Sequence, residues 1–229
     1  MLRLIIEEKV ALLLRRSGVS EVDAILDAAF VKAWSIRDPD DNRAGLSDPD
    51  ARVGRNGRSY GLGYKLHSLV EPEMILPLAC LMAPANENEK RHAPSLVERT
   101  RVVLGCAGAG LRRLIGDSQY SSRRVRGLVD ESVIPYTASQ RGGGVLRVDR
   151  WFRVHGPLGL VEEYRKRPKV EAFFAFLRTQ FGLNVVRVRG LLNVSLYALL
   201  SVLCIVLNRE AAENLGRPDK ALSPTFFNT

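Results

Sequence analysis

The chain has 229 residues, 46% of them apolar and 26% charged, and carries a net charge of +9. That balance suits one large soluble domain, or a domain with a small appendage, and excludes a disordered or low-complexity polymer. The positive excess is local: residues 101–190 hold 17 Lys and Arg against 7 Asp and Glu, a bias that points to a polyanionic partner, most commonly nucleic acid.

The opening stretch, MLRLIIEEKVALLLRRSG, reads as an amphipathic helix up to Arg16 that ends at Gly18. Glu7, Glu8 and Lys9 interrupt its apolar run, so it is not a signal peptide. Ala24–Trp34 reads as a buried strand with Asp27 near its middle, where a carboxylate is costly unless it is paired or binds a cation. Asp23 stands before the apolar run and reads as a turn or cap residue. The polar stretch Ser35–Ser59 reads as a loop. Its Asp38, Asp40, Asp41, Asp48 and Asp50 lack the central Gly and terminal Glu of a calcium loop and are read as solvated.

Gly61–Val70 and Ile75–Met82 follow as a hairpin turning at Glu71–Met74. Lys65 and His67 share one face of the first strand, and His67 is either near an active site or a structural histidine. A helix over Ala93–Leu104 leads to a strand, Leu111–Ile115. At its end stand Gly116 and Asp117, then a helix capped near Ser121 or Ser122 and the strand-like VIPY ending at Tyr136. A Gly-Asp pair there puts a carboxylate at the C-terminal edge of a sheet, beside a helix start that favours anionic ligands. Gly142–Gly144 and the segment through His155 read as a connector.

Tyr164–Arg178, YRKRPKVEAFFAFLR, carries the densest signal. Val170, Phe173, Phe174, Leu177 and Phe181 form one face of a helix, with Glu171 and Arg178 within about 20° of each other at the edge of that stripe. Pro168 fits the first helical position, which leaves Tyr164 and Arg167 before the helix. A solvated Glu171 on an amphipathic helix is the plain alternative. Leu191–Leu207 reads as a buried C-terminal helix rather than a membrane span, for which about 20 apolar residues are needed. Cys80, Cys106 and Cys204 are dispersed, odd in number and form no CxxC, so they fit reduced thiols rather than a zinc site or disulfide framework.

Tyr164, Arg167, Glu171 and Arg178 read Y-x2-R-x3-E-x6-R. This resembles the Y-x2-R-x3-E-x6-K signature of DDE transposases of prokaryotic insertion sequences, with Arg in place of the usual Lys. The stretches LDAAFVKA, SDPDARVGR with YGLGYKLH, IGDSQYSSRRVRGLV and FGLNVVRVRGLLNVSLYALLSVL resemble further blocks of that family.

The resemblance implies an α/β, RNase H-like fold: a mixed five-stranded sheet flanked by helices, with a C-terminal apolar helix. It implies a helical remnant at 1–21, a catalytic domain at 22–190, and a helix and tail at 191–229 packed on the core. Asp27, Asp117 and Glu171 would be the catalytic, metal-binding carboxylates, holding Mg²⁺ (or Mn²⁺), two ions. Tyr164, Arg165, Lys166, Arg167, Lys169 and Arg178 would contact DNA.

The implied activity is cleavage of DNA phosphodiester bonds at element ends and strand transfer into target DNA. It would be carried out by a homodimer on double-stranded DNA, in the cytoplasm at the nucleoid, with no membrane. Only 26 residues precede Asp27, where relatives carry an end-recognition region, so a truncated or split element is expected. The alternative is a catalytically inactive or truncated DNA-binding relative. A membrane-associated structural protein comes last.

Overall fold

The structure, a computed structural model, describes residues 1–135, 160–223 and 226. Helix α1 (Leu2–Ser17) buries Ile6, Val10, Ala11, Leu13 and Leu14. It stops at Gly18, whose φ of 69° gives the left-handed C-cap that glycine adopts without a Cβ clash. Strand β1 (Glu21–Ala33) is the axis of the sheet and is buried along both faces. It starts three residues before the expected strand. Asp23 therefore lies inside β1, not in a turn or cap, because Glu21–Val22 already pair with Gly110–Leu111.

β3 (Ser59–Glu71) runs antiparallel to β1, with Asp27 opposite Ser68 and Ala28 opposite His67. Two strands share the outer edge of β3 end to end. β2 (Arg52–Asn56) pairs with Ser59–Gly63, and β4 (Leu76–Pro84) pairs with Tyr64–Glu71. Helix α2 (Ala93–Ala107) then carries the chain across to β5 (Gly110–Gly116), parallel to β1. A parallel neighbour needs such a crossover, whereas an antiparallel one needs only a turn.

Ser122 caps the single-turn helix α3 (Arg123–Arg126), and β6 (Glu131–Val133) lies parallel to β5. The expected mixed sheet is thus β4-β3-β1-β5-β6. β2 and β7 (Val185–Val186, parallel to β1 at Lys32–Ala33) are two short additions to it. Tyr136 and the connector expected through Gly142–Gly144 and His155 lie outside the described residues.

Helices α4 (Leu160–Tyr164) and α5 (Lys169–Phe181) follow, separated by a turn that holds Arg165–Pro168. Val170, Phe173, Phe174 and Leu177 of α5 enter the core, as the apolar stripe requires. Helix α6 (Leu191–Asn214) is longer than its apolar run. It continues through the charged turn because Arg209 pairs with Glu213 at 2.8 Å and Glu210 accepts from Lys9 of α1 at 2.9 Å. It packs on β4, α1 and α5 through Val194, Ala198, Val202, Ile205 and Val206. Leu192, Leu196, Leu200 and Leu207 stay exposed, so the expected buried helix is buried on one side. It is long and apolar enough to cross a membrane, yet its inner stripe belongs to the protein core.

Candidate active site

The register of the sheet explains why two distant aspartates meet. Leu26 of β1 pairs in parallel with Gly116, the last residue of β5. The next residue on each chain is Asp27 and Asp117. Asp117 follows the strand and caps a 3-10 turn, Ser118–Tyr120, by accepting from the Gln119 amide at 2.8 Å. Asp27 accepts from the neighbouring Ala28 amide at 2.9 Å.

Arg167 joins these two acids to the third. Its guanidinium donates to Asp27 at 3.3 Å and lies 4.0 Å from Asp117 and 3.7 Å from Glu171. The nearest oxygens of Asp27 and Asp117 are therefore no further apart than the sum of their contacts to the same nitrogen. Glu171 stands in the first turn of α5, four residues beyond Arg167, and its side chain is 66% exposed. A cleft of about 330 Å³ opens beside the two aspartates, and Arg167, Arg178, Lys65 and Glu89 also line it.

The charges in this cleft are unequal. Burial pushes the Asp27 carboxyl up to about 6, against the pull of the Arg167 charge and the Ala28 amide. Burial works against the charged form of Arg167 as well, but Asp27, Tyr164, Asp117 and Glu171 outweigh it and hold the guanidinium firmly protonated. Its Nε has no hydrogen-bond partner among the described residues. Burial also raises the half-buried Tyr164 phenol.

Asp23 organises a second charged cluster. Only 4% of its side chain is exposed, and it accepts from Arg112 at 2.9 and 3.0 Å, from Lys166 at 2.9 Å and from Arg113 at 3.4 Å. Burial alone would raise this carboxyl; the Arg112 and Lys166 hydrogen bonds and the Lys166 and Arg113 charges overcome it and hold Asp23 below its ordinary value. Lys166 also meets Glu163 at 2.7 Å, and Arg113 meets Glu163 and Glu131, both at 2.9 Å. The turn that presents Arg167 is thereby pinned to β1 and β5.

The residues expected at the site thus separate. Asp27, Asp117, Glu171 and Arg167 come together, and Arg178 reaches the same cleft exposed. Arg165 turns to Glu162 at 2.5 Å, Lys166 to Asp23, and Lys169 to Glu73 at 2.7 Å. These three cations already have carboxylate partners. His67 is fully buried, and burial first, then the neighbouring His92 charge, lowers it to about 3. It stacks on His92 with ring centroids 4.5 Å apart, and neither of its ring nitrogens has a hydrogen-bond partner among the described residues.

Glu89 is the carboxylate the pattern did not reveal. It comes from the 3-10 turn Glu89–Arg91 before α2, lines the cleft and binds Lys65 at 2.7 Å. Its segment, NENEKRH, has no apolar periodicity that could have placed it. The β2–β3 hairpin also borders the cleft and turns at Gly57-Arg58, with Gly57 first in the loop.

Hard carboxylate oxygens gathered around one positive charge are the donor chemistry that divalent cations take. Arg167 is the cation they surround here, and among the described residues no three His, Cys, Asp or Glu side chains stand ready to ligate a metal ion. No curated protein and no solved structure matches the chain. A family model does, that of the transposase DDE domain, over residues 20–207. The span takes in β1, β5 and α5, with all three converging acids, and the chain belongs to the family of DDE transposase domains.

Proposed function

We propose that the chain is the catalytic domain of a prokaryotic insertion-sequence transposase that cuts DNA phosphodiester bonds at element ends and transfers the freed strand to target DNA. The observation that carries this reading is the convergence of Asp27, Asp117 and Glu171, from three separate elements, on one cation beside a polar cleft. Tyr164, Arg167, Glu171 and Arg178 serve as the family's Y-R-E-K signature, with Arg178 in the Lys position.

Asp27, Asp117 and Glu171 would hold the divalent ions the family uses, Mg²⁺ or Mn²⁺ and two in number. Bound there, they supply Lewis-acid activation of the attacking oxygen and stabilisation of the leaving one. In the first step a water oxygen attacks phosphorus and the bond to the 3′ oxygen breaks, leaving a 3′-hydroxyl and a 5′-phosphate. That hydroxyl then attacks a target phosphodiester, and one bond forms as another breaks. Neither step needs a protein nucleophile. Arg178, exposed in the cleft, orients the phosphate with a planar fork where Lys would offer a point charge. Arg167 neutralises the carboxylates until substrate and ions arrive, then turns to phosphate oxygens.

The remainder of the reading is a helical segment at 1–21, a catalytic domain at 22–190 and a packed helix and tail at 191–229. The chain acts as a homodimer on double-stranded DNA, in the cytoplasm at the nucleoid. One observation favours a second reading, a DNA-binding relative that does not cut: the Arg167 guanidinium already sits among the three acids. Incubating the protein with supercoiled plasmid, with and without Mg²⁺ or Mn²⁺, separates the two. Metal-dependent nicking is the expected result. Plasmid binding with no nicking in either metal establishes the second reading.

A further inference from the structure

The tip of the β2–β3 hairpin has no role in the chemistry above, yet it stands at the mouth of the cleft. Arg55, Asn56 and Gly57 line the same cavity as Asp27 and Asp117. All six residues from Arg55 to Tyr60 are exposed. They include two arginines and no acid. Arg55 donates only within the tip, to the Gly57 carbonyl at 3.0 Å, and neither Arg55 nor Arg58 has a carboxylate partner among the described residues. This differs from Arg165, Lys166 and Lys169, each tied to a nearby acid.

The hairpin is firmly held at its base. A Cβ on Gly54 would fall 1.9 Å from the Ala85 carbonyl oxygen, so β2 is pressed against the chain leaving β4. Gly57, with φ of 60°, takes the first place of the two-residue loop between the paired Asn56 and Ser59. Two exposed strand residues on each side, Arg55 and Asn56 against Ser59 and Tyr60, project the turn about 7 Å beyond that base. Tyr60 lies directly opposite Arg55 and is 71% exposed, so an aromatic ring and a guanidinium share one face of the ribbon. A partner in the cleft therefore meets free positive charge on a rigid arm, with a ring beside it.

We infer that this hairpin is a DNA clamp: Arg55 and Arg58 bind backbone phosphates of duplex DNA flanking the phosphodiester held at Asp27 and Asp117. The inference rests on the proposed DNA-cutting function, to which it adds a grip on the flanking duplex. The occupant is duplex DNA on charge grounds, because an unpaired basic tip bordering a carboxylate cleft complements a polyanion that runs past the reacting bond.

The test measures binding of the full chain to a labelled duplex across a salt series, without divalent metal. The Arg55→Ala/Arg58→Ala variant should melt as wild type does, bind roughly tenfold more weakly at moderate salt, and lose about two from the slope of log affinity against log salt. Arg15→Ala/Arg16→Ala on α1 removes the same charge away from the cleft and should change the slope little. Equal binding by the hairpin variant and wild type overturns the clamp, as does an equal loss in the α1 variant. If wild type binds but never nicks plasmid in Mg²⁺, while the hairpin variant loses binding, the clamp stands and the cutting function falls. If wild type binds no duplex, both fall.

Discussion

Replacing Asp23 by Asn tests whether the charged cluster under the Arg167 turn holds the fold together. The substitution keeps the side-chain volume and removes one charge that three cations share at 2.9–3.4 Å. Removing one member of a buried ion pair costs about 3–5 kcal/mol. Here the cost is lower. Arg112 is 41% exposed and can rehydrate, while Lys166 and Arg113 keep Glu163. A loss of about 2 kcal/mol near neutral pH is expected.

The pH dependence has a definite sign. The carboxyl is held below its ordinary value of 3.8 in the folded protein, so its contribution is fully present above that value and disappears as pH falls through the lower folded value. Urea unfolding followed by circular dichroism at about pH 7, 5 and 3 gives the comparison. The gap between wild type and Asp23→Asn should be constant over the upper two and narrower at the lowest. A difference below about 0.5 kcal/mol at neutral pH, or a gap at about pH 3 as wide as at pH 7, refutes the assignment of Asp23 as the anchor.

Asp27→Asn should act in the opposite direction on stability. Its folded value of about 6 exceeds the ordinary 3.8, so the charged form opposes folding above that range and wild type gains stability as pH falls from 7 towards 4. The variant should be more stable at neutral pH by about 1–3 kcal/mol while losing plasmid cleavage, and a variant that melts earlier contradicts this. Glu171→Gln should leave unfolding within about 0.5 kcal/mol of wild type, as its exposure suggests, and lower nicking by orders of magnitude. Equal nicking would make Glu171 an ordinary surface residue. Arg178→Ala should weaken duplex binding and lower the salt slope by about one, which a filter-binding series in salt will show.

Local pattern located the elements and two of the acids, because strand alternation and Gly-Asp endings are written in neighbouring residues. It could not show what each charge faces. Asp23 looked like a cap since its partners stand 89, 90 and 143 residues away, and only the sheet register brings them together. Arg167 was read as a phosphate contact, yet three carboxylates surround it. Glu89 was silent because a short 3-10 turn has no apolar face. β2 was missed because its Gly57-Arg58 turn lay in a stretch dominated by polar residues, although Gly54 and Gly57 are placed there for close packing and for a turn. Helix α6 outran its apolar run because side-chain pairs, not hydropathy, carry it through its last two turns.

The closure of α1 by α6 bears on how the protein is made. Val10, Leu13 and Leu14 of α1 are fully covered in the finished fold. Lys9 finds Glu210 and Arg16 finds Asn214 only across a separation of about 200 residues. A ribosome adding 5–20 residues per second needs roughly 10–40 s to bridge that distance. Throughout this interval the first helix has emerged without its last covering element, and the slow, long-range step comes at the end of synthesis. A nascent chain halted before Leu191 carries Asp27, Asp117 and Glu171 on a core that lacks α6.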